Sequence, residues 1–560
     1  RWEVAVGDET LTAEELYELA RLKAPLVRLR GRWVELNEDD LAAALRLLED
    51  APSGQMTLAE AARIGLGVDD PDLGIGLEVA GVDADGPLAA LLDGDADHHL
   101  EVLVTPDGLN GSLRPYQERG LSWLAFLDAV GLGGCLADDM GLGKSIQLLA
   151  LLVHERAGRS RRSKRWPAPT LLVCPMSIVG NWEREAERFA PDLRVHVQHG
   201  RDRPVGEEFA AAIRRADLVI TTYHLAARDQ ADLAEANWRR VVLDEAQNIK
   251  NPAAKQSRAI RSLPAPQRLA LTGTPVENRL SELWSIMDFC NPGLLGTQES
   301  FRRTFGVPIE RLQDDEAAAR LRRITQPFVL RRRKTDTSII SDLPDKIEFD
   351  EHCSLTREQG SLYGGVVEDM LRRIEETDGI ERRGLILQTM LRLKQVCNHP
   401  AHLLGDGSRL PGRSGKLERL EELVDEVLAA GEKMLVFTQY AQWGGRVQGH
   451  LRERLGREVL YLHGGVPKAG RDRMVASFQD PAGPPVFVLS LKAGGVGLNL
   501  TAANHVVHYD RWWNPAVEDQ ATDRAFRIGQ RRDVVVRKLV CAGTLEERIA
   551  ELIDRKKDLA

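Results

Sequence analysis

The sequence predicts an α/β protein with two parallel-sheet lobes in tandem, a helical insertion between them and a small N-terminal accessory module. Three observations lead there. Short apolar strands alternate with helical stretches in two separate blocks, which is how a parallel sheet covered on both faces reads. The stretch between those blocks is helical in texture, with charged faces. A chain of 560 residues is also too long for a single core.

In chain order, residues 1–110 are an acidic accessory module, with 8 Lys/Arg against 24 Asp/Glu. Residues 12–50 read as two short amphipathic helices flanking a strand pair. Thr12 to Glu15 opens the first helix as a capping box, and strands Leu26–Leu29 and Arg32–Leu36 turn around Gly31. Residues 51–100 are rich in Gly, Ala and Asp and read as loose connections. The start at Arg1-Trp2-Glu3 has neither an initiator Met nor a basic-then-apolar leader. A piece of a longer chain is therefore expected, and with it an incomplete module.

Residues 111–290 are the first lobe, with strands at 170–174, 217–221, 240–243 and 268–271. Residues 291–415 read as largely helical protrusions and linker, broken at Pro327, Pro344 and Pro400. Residues 416–542 are the second lobe, with strands at 433–437, 458–461, 486–489 and 505–509. Residues 543–560 are a charged helical tail. No repeat of 20 to 50 residues is present, which excludes a solenoid.

Composition excludes several classes. No apolar run is long enough to span a membrane. The six cysteines lie far apart with no C-x-x-C pair, so buried thiols in a reduced, cytoplasmic compartment are expected in place of zinc or disulfides. The net charge of −9 hides an asymmetry, because beyond residue 110 the chain carries 67 Lys/Arg against 60 Asp/Glu. That balance permits a nucleic-acid partner without demanding one.

The chemistry concentrates in three places. Asp139-Met140-Gly141-Leu142-Gly143-Lys144-Ser145 follows an apolar strand and precedes an apolar helix. In that context glycine amides and a helix N-terminus face phosphates, Lys144 supplies charge at the β/γ positions, and Ser145 can ligate magnesium. Asp138 holds the place of the leading glycine, and the loop alone leaves a chance match or a simple helix cap as the alternative. The strand Val241–Leu243 then ends in Asp244 and Glu245, at the edge where parallel sheets bind ligands. Asp244 would hold magnesium through water, and Glu245 would orient or deprotonate the attacking water. Finally, Arg524 and Arg527, read on a helix at i,i+3, share a face and could stabilise γ-phosphate charge from the other lobe.

With those residues in order, the chain resembles the Swi/Snf-type branch of the superfamily-two helicase-like ATPases over roughly residues 111–545. The match is an ordered series. It includes Leu113 to Gln117, the loop ending Lys144-Ser145, Cys174-Pro175 with Asn181-Trp182, Thr221-Thr222-Tyr223 and Asp244 to Gln247. It continues with Leu271 to Pro275, Glu277-Asn278, Val436 to Gln439, His463 to Gly465, Leu491 to Leu500 and the arginine segment. Lys394 to Pro400 and Asp510 to Pro515 are typical of this branch.

The resemblance implies RecA-like lobes and ATP with Mg2+ as cofactors. It also implies Gln117 as adenine reader with Arg114 nearby, and Thr272 to Thr274 as the element coupling hydrolysis to the track. By the same resemblance, Gly497 would belong to a loop meeting both ATP and nucleic acid, and residues after 531 would form a brace. Such proteins move along double-stranded DNA without generally unwinding it, displacing or remodelling bound proteins. Phe526 departs from the histidine common in relatives. Residues 1–110 are similar to the end of an accessory region of bacterial relatives, and a bacterial, nucleoid-associated monomer is expected.

Backbone-reading contacts need hydroxyls, amides and cations. The candidates are Asn181, Trp182, Thr221, Thr222, Thr438, Gly464, Gly465, Lys492, Gly494 and Gly495, though the glycines could serve only as turns. The basic run Arg156–Arg165 reads as a solvated loop or an auxiliary DNA contact. Trp512-Trp513 reads as packing against the arginine segment, with stacking on single strands as the alternative. No recognition helix carries a basic cluster, so sequence-nonspecific duplex binding is expected. Two other functions compete: a strand-separating DNA or RNA helicase, and a nucleotide-gated regulator that binds transcription machinery or another DNA-bound protein.

Overall fold

A computed structural model describes residues 4–6, 9–11, 13–22, 26–29, 32–35, 41–42, 44–45, 101–157, 168–200, 202–273, 280–334, 336, 344–374, 379–491 and 498–550. It forms two compact units. One holds Arg1–Asp138, Ser145–Val179 and Glu183–Arg331, the other Asp139–Lys144, Gly180–Trp182 and Arg332–Ala560.

The N-terminal residues form a hairpin-like pair, β1 (Val4–Val6) with β2 (Glu9–Leu11), then a helix Ala13–Leu22. The expected pair follows as β3 (Leu26–Leu29) antiparallel to β4 (Arg32–Glu35), with Val27 opposite Val34. The β1–β2 pair was not expected. The capping Thr12 and the loose segment 51–100 lie outside the described residues.

The first unit is built on seven strands: β5 (Gly134–Leu136), β6 (Thr170–Cys174), β7 (Val195–Val197), β8 (Leu218–Thr222), β9 (Arg240–Asp244), β10 (Gln267–Leu271) and β11 (Val329–Leu330). Their order is β11-β5-β10-β9-β6-β8-β7, with every pairing parallel. β5, β6 and β8 are buried along their whole length, which is why they read as unbroken apolar runs. Glycines let β5 sit deep, since a Cβ on Gly133 would lie 2.3 Å from the Cys290 carbonyl oxygen. At the start of β9, Arg240 is fully buried and its guanidinium is neutralised by Glu155 and Asp128. A parallel sheet places all its C-terminal strand ends along one edge, and that edge is where the site residues emerge.

The second unit carries six strands: β12 (Lys346–Cys353), β13 (Met434–Thr438), β14 (Leu460–Leu462), β15 (Val486–Ser490), β16 (His505–His508) and β17 (Val534–Cys541). They run in the order β12-β17-β16-β13-β15-β14, again all parallel. β12 departs from the helical reading of residues 291–415. It is an edge strand whose sequence, Lys-Ile-Glu-Phe-Asp-Glu-His-Cys, leaves Ile347 and Phe349 exposed. One-sided pairing needs no continuous apolar run, so the strand hides in a charged segment. Helices Arg357–Ile374 and Gly379–Asn398 do follow, packing through Val366, Leu393 and Val396.

Beneath this sheet lies a buried polar knot. The Lys416 ammonium donates to Glu546 Oε1 at 2.7 Å and to the Tyr509 carbonyl at 3.0 Å. Glu546 meets Cys397 and Cys541 there, but the ammonium already supplies the positive charge that a metal would bring. All six cysteines are buried and free. Among the described residues no helix is long and apolar enough to cross a membrane.

Candidate nucleotide site and nucleic acid contacts

The phosphate loop leaves β5 at Leu136 and returns as the helix Lys144–Ala157. Gly141 and Gly143 adopt φ of 88° and 79°, a left-handed backbone that side-chain-bearing residues resist. This is why those two positions of the loop are glycines. Asp138, in the place of the leading glycine, is buried and accepts from Gln147 Nε2 at 3.2 Å. Its carboxylate therefore folds onto the helix that the loop feeds. Lys144 Nζ donates to the Asp139 carbonyl at 3.4 Å, and the Leu142 amide bonds the same oxygen at 3.2 Å. Asp139 itself accepts from the Lys334 amide at 2.9 Å. Met140 and Ser145 are half-buried in this stretch. A 14-residue helix preceded by glycines in the left-handed region suits an anion at its N-terminus.

Gln117 lies in the first turn of the helix Pro115–Val130 as part of a capping box. Its Oε1 accepts from the Arg114 amide at 3.0 Å, and its Nε2 donates to the Tyr116 hydroxyl at 3.3 Å. Gln117 is buried and Arg114 half-buried.

The two carboxylates stand on the same sheet edge. Leu271 of β10 pairs with Leu136 on one side and with Asp244 on the other. The loop's departure point and Asp244 are thus two strands apart, roughly 10 Å. At Glu245 the chain turns left-handed, with φ 53° and ψ 56°, a conformation costing about 1–2 kcal/mol for a residue with a Cβ. Its amide donates to Asp244 Oδ1 at 2.9 Å. Its carboxylate accepts from Gln247 Nε2 at 2.8 Å, and Gln247 Oε1 accepts from Thr272 Oγ1 at 2.9 Å. A hydrogen-bonded path therefore joins the end of β10 to Glu245. Nearby, burial and the neighbouring Asp244 push the Cys174 thiol well up.

The arginine segment corrects the sequence reading. The helix Pro515–Thr522 stops at Thr522, so Arg524 and Arg527 lie in a series of tight turns and not on a helix. The cause is competition for backbone acceptors. The Arg524 carbonyl is taken by the Leu500 amide at 2.9 Å, while Ala525 and Phe526 bury into the core. Gln530 clamps the turn, its Nε2 donating to the carbonyls of Thr501, Ala503 and Ala525. Its Oε1 accepts from the amides of Arg531 and Arg532. Arg524 is buried, whereas Arg527 is half-exposed and donates to the Leu498 carbonyl at 3.1 Å.

The expected nucleic-acid contacts divide sharply. Gly464 and Gly465 are exposed, and Asn181 is half-buried. Trp182 is buried. Thr221 and Thr222 are buried with committed hydroxyls, Thr221 donating to the Gln198 carbonyl at 3.1 Å and Thr222 accepting from the Leu225 amide. Thr438 is likewise buried and donates to Asp510 Oδ2 at 2.5 Å. These hydroxyls are thus committed to partners within the protein at the strand ends. Lys492, Gly494, Gly495, Gly497 and Thr274 lie outside the described residues, as does most of the basic run 156–165. Trp512 packs with the cluster containing Phe526, and Trp513 lies under the Lys394 ammonium, partly exposed.

The family description "SNF2-related domain" matches residues 116–402, more than half of the chain. The chain belongs to the SNF2-related family. A helicase conserved C-terminal domain matches residues 415–529, and a description reading "SNF2 Helicase protein" matches residues 1–66 of this SNF2-related chain. YwqA of Bacillus subtilis (strain 168), provisionally named an ATP-dependent helicase/translocase, is 44% identical over 570 residues, covering 100% of this chain and 61% of its own. The TATA-binding protein-associated factor MOT1 of Saccharomyces cerevisiae is 32% identical over 519 residues, covering 81% of this chain and 28% of its own. The chain thus spans less than two thirds of the length of these relatives. A solved SWI2/SNF2 ATPase core of Sulfolobus solfataricus in complex with dsDNA shares 43% identity, with a TM-score of 0.43 over 82% of this chain and 94% of that one.

For this SNF2-related chain, reading the sequence did not find the roles of Tyr223, Gln247, Lys334 and Gln530. Gln247 and Thr272 are 25 residues apart, and no local pattern signals their bond. Lys334 is buried and ion-paired with Asp523 at 2.7 Å, a pairing between residues far apart in the chain. Burial lowers its ammonium pKa in spite of Asp523.

Proposed function

We propose that this chain hydrolyses ATP and uses the cycle to move along double-stranded DNA, displacing or remodelling proteins bound there. The observation that carries the reading is the carboxylate turn. Glu245 leaves its strand in a strained backbone on the ligand edge of the sheet, with its side chain held by Gln247. Strain of this kind persists where a side chain must be aimed.

In the proposed reaction water attacks the γ-phosphorus in line and the β,γ-bridging oxygen leaves with the electron pair. Glu245 orients that water and takes its proton. Lys144 and the loop amides hold the β- and γ-phosphates, while Gln117 and Arg114 face the adenine. The Ser145 hydroxyl and Asp244 carboxylate are hard oxygen donors of the kind magnesium prefers, and the ion would neutralise phosphate charge there. Arg524 and Arg527 would meet the charge that develops at the γ-phosphoryl group. The name of the Bacillus relative supports a translocase, and that of the yeast relative supports a partner among DNA-bound transcription proteins. The five-part division of the chain, and a monomer associated with the bacterial nucleoid, are part of this reading.

Steady-state ATP turnover measured without nucleic acid and with duplex DNA, single-stranded DNA or RNA tests it. Turnover should rise strongly with duplex and far less with single strands, and the rise should weaken with salt. Equal stimulation by single strands would replace the proposal with a strand-separating helicase. No stimulation by any nucleic acid would leave the nucleotide-gated regulator.

A further inference from the structure

We propose that Tyr223 is a positioning residue that pins the Asp244–Glu245 turn and links it to the end of β8. This rests on the ATPase reading above and extends it to how the carboxylates are aimed and what can move them.

Tyr223 directly follows β8 and opens the short helix Tyr223–Arg228, which Thr222 caps. Its ring is buried in the core with Ala246, Val241 and Leu243. Its hydroxyl reaches across to β9, donating to the Asp244 carbonyl at 2.8 Å and lying 3.3 Å from the Glu245 carbonyl. Those two carbonyls belong to the residues that carry the proposed chemistry. The second is the carbonyl of the left-handed residue, and Asn248 also grips it through Nδ2 at 2.8 Å and its amide at 3.0 Å. A backbone held in a disfavoured region stays there only while its surroundings over-determine it. Here one buried phenol and one asparagine hold its carbonyls, beside the Gln247 bond to its carboxylate.

The phenol is suited to constant service as a donor. Burial, with Asp244 next in effect, pushes its pKa well up, so it keeps its proton throughout the working range. Its backbone is continuous with Thr221 and Thr222, the segment proposed to lie toward the track. A shift at the end of β8 would therefore reach the carboxylate turn through a single hydroxyl. Hydrolysis would then depend on what that strand end touches.

The test is Tyr223→Phe, assayed for ATP affinity, basal turnover and duplex-stimulated turnover beside wild type. The expected result is an ATP Kd within about twofold of wild type and a duplex-stimulated kcat lowered about tenfold or more. The ratio of stimulated to basal rate should also be reduced. Leu233→Ala serves as the control for general loosening, since it empties the same core without touching the hydroxyl, and its kcat should hold. Asn248→Ala removes the second grip from an exposed position, so it tests the same claim if Tyr223→Phe fails to fold. It should lower kcat severalfold at unchanged Kd, and the pair should be non-additive. Stimulated turnover within twofold of wild type in both variants would overturn the inference, as would an equal loss in Leu233→Ala. Wild-type protein that hydrolyses no ATP would instead remove the reading on which it rests.

Discussion

His508 illustrates how a single buried residue sets a condition on the whole second unit. It is fully buried, stacked on Phe437, with Nε2 at 2.9 Å from Thr522 Oγ1. Burial, the largest cause, holds its pKa down to about 4 from an ordinary 6.5. Above the ordinary value both folded and unfolded chains are neutral at this site, and its full contribution to stability is present. As pH falls below 6.5 the unfolded chain takes a proton that the folded chain refuses, and stability declines until about pH 4. At pH 5 the loss is about 2 kcal/mol for this residue. Denaturant unfolding at pH 7.5 and pH 5 should show that loss in the wild type, and His508→Gln should lose less stability by a similar amount. An identical pH dependence in the two proteins would contradict the assignment.

At the scale of elements, legibility depended on burial. β6 and β8 were readable because strands covered on both faces are continuous apolar runs. β12 was missed because an edge strand exposes alternate residues and keeps its charges. The arginine segment was read as helical, and the structure has turns there. Spacing of i,i+3 suits a helix and a string of turns alike, and only the Leu500 amide and the Gln530 side chain decide between them. In the candidate site, the carboxylates and glycine loop were legible as local motifs. The Thr272–Gln247–Glu245 path was not, because it crosses between strands.

The turn also makes a prediction. If Arg524 and Arg527 meet transition-state charge, Arg527→Ala should lower kcat about a hundredfold or more with only modest loss of ATP affinity. A large rise in Kd at unchanged kcat would make them simple binding groups. Gln530→Ala removes its hydrogen bonds to three carbonyls and two amides, so the melting temperature of the second unit should fall as well. No such fall would show the clamp to be redundant.

For the molecule as a whole, charge asymmetry is the feature that composition revealed first. Residues 1–110 hold 24 acidic against 8 basic residues, and the rest of the chain is mildly basic. An acidic segment can compete with phosphate for cationic side chains. Removing residues 1–105 should therefore raise ATP turnover at subsaturating duplex. An unchanged rate, with loss of a bound protein partner, would assign the segment to docking.

The account as a whole depends on chemistry at one turn of the backbone, and Glu245→Gln tests it most directly. With saturating duplex DNA this variant should bind ATP as tightly as the wild type while its turnover falls to the background of the assay. Turnover at the wild-type rate would show that the carboxylate at this strained position does not orient the attacking water, and the proposed mechanism would fail with it.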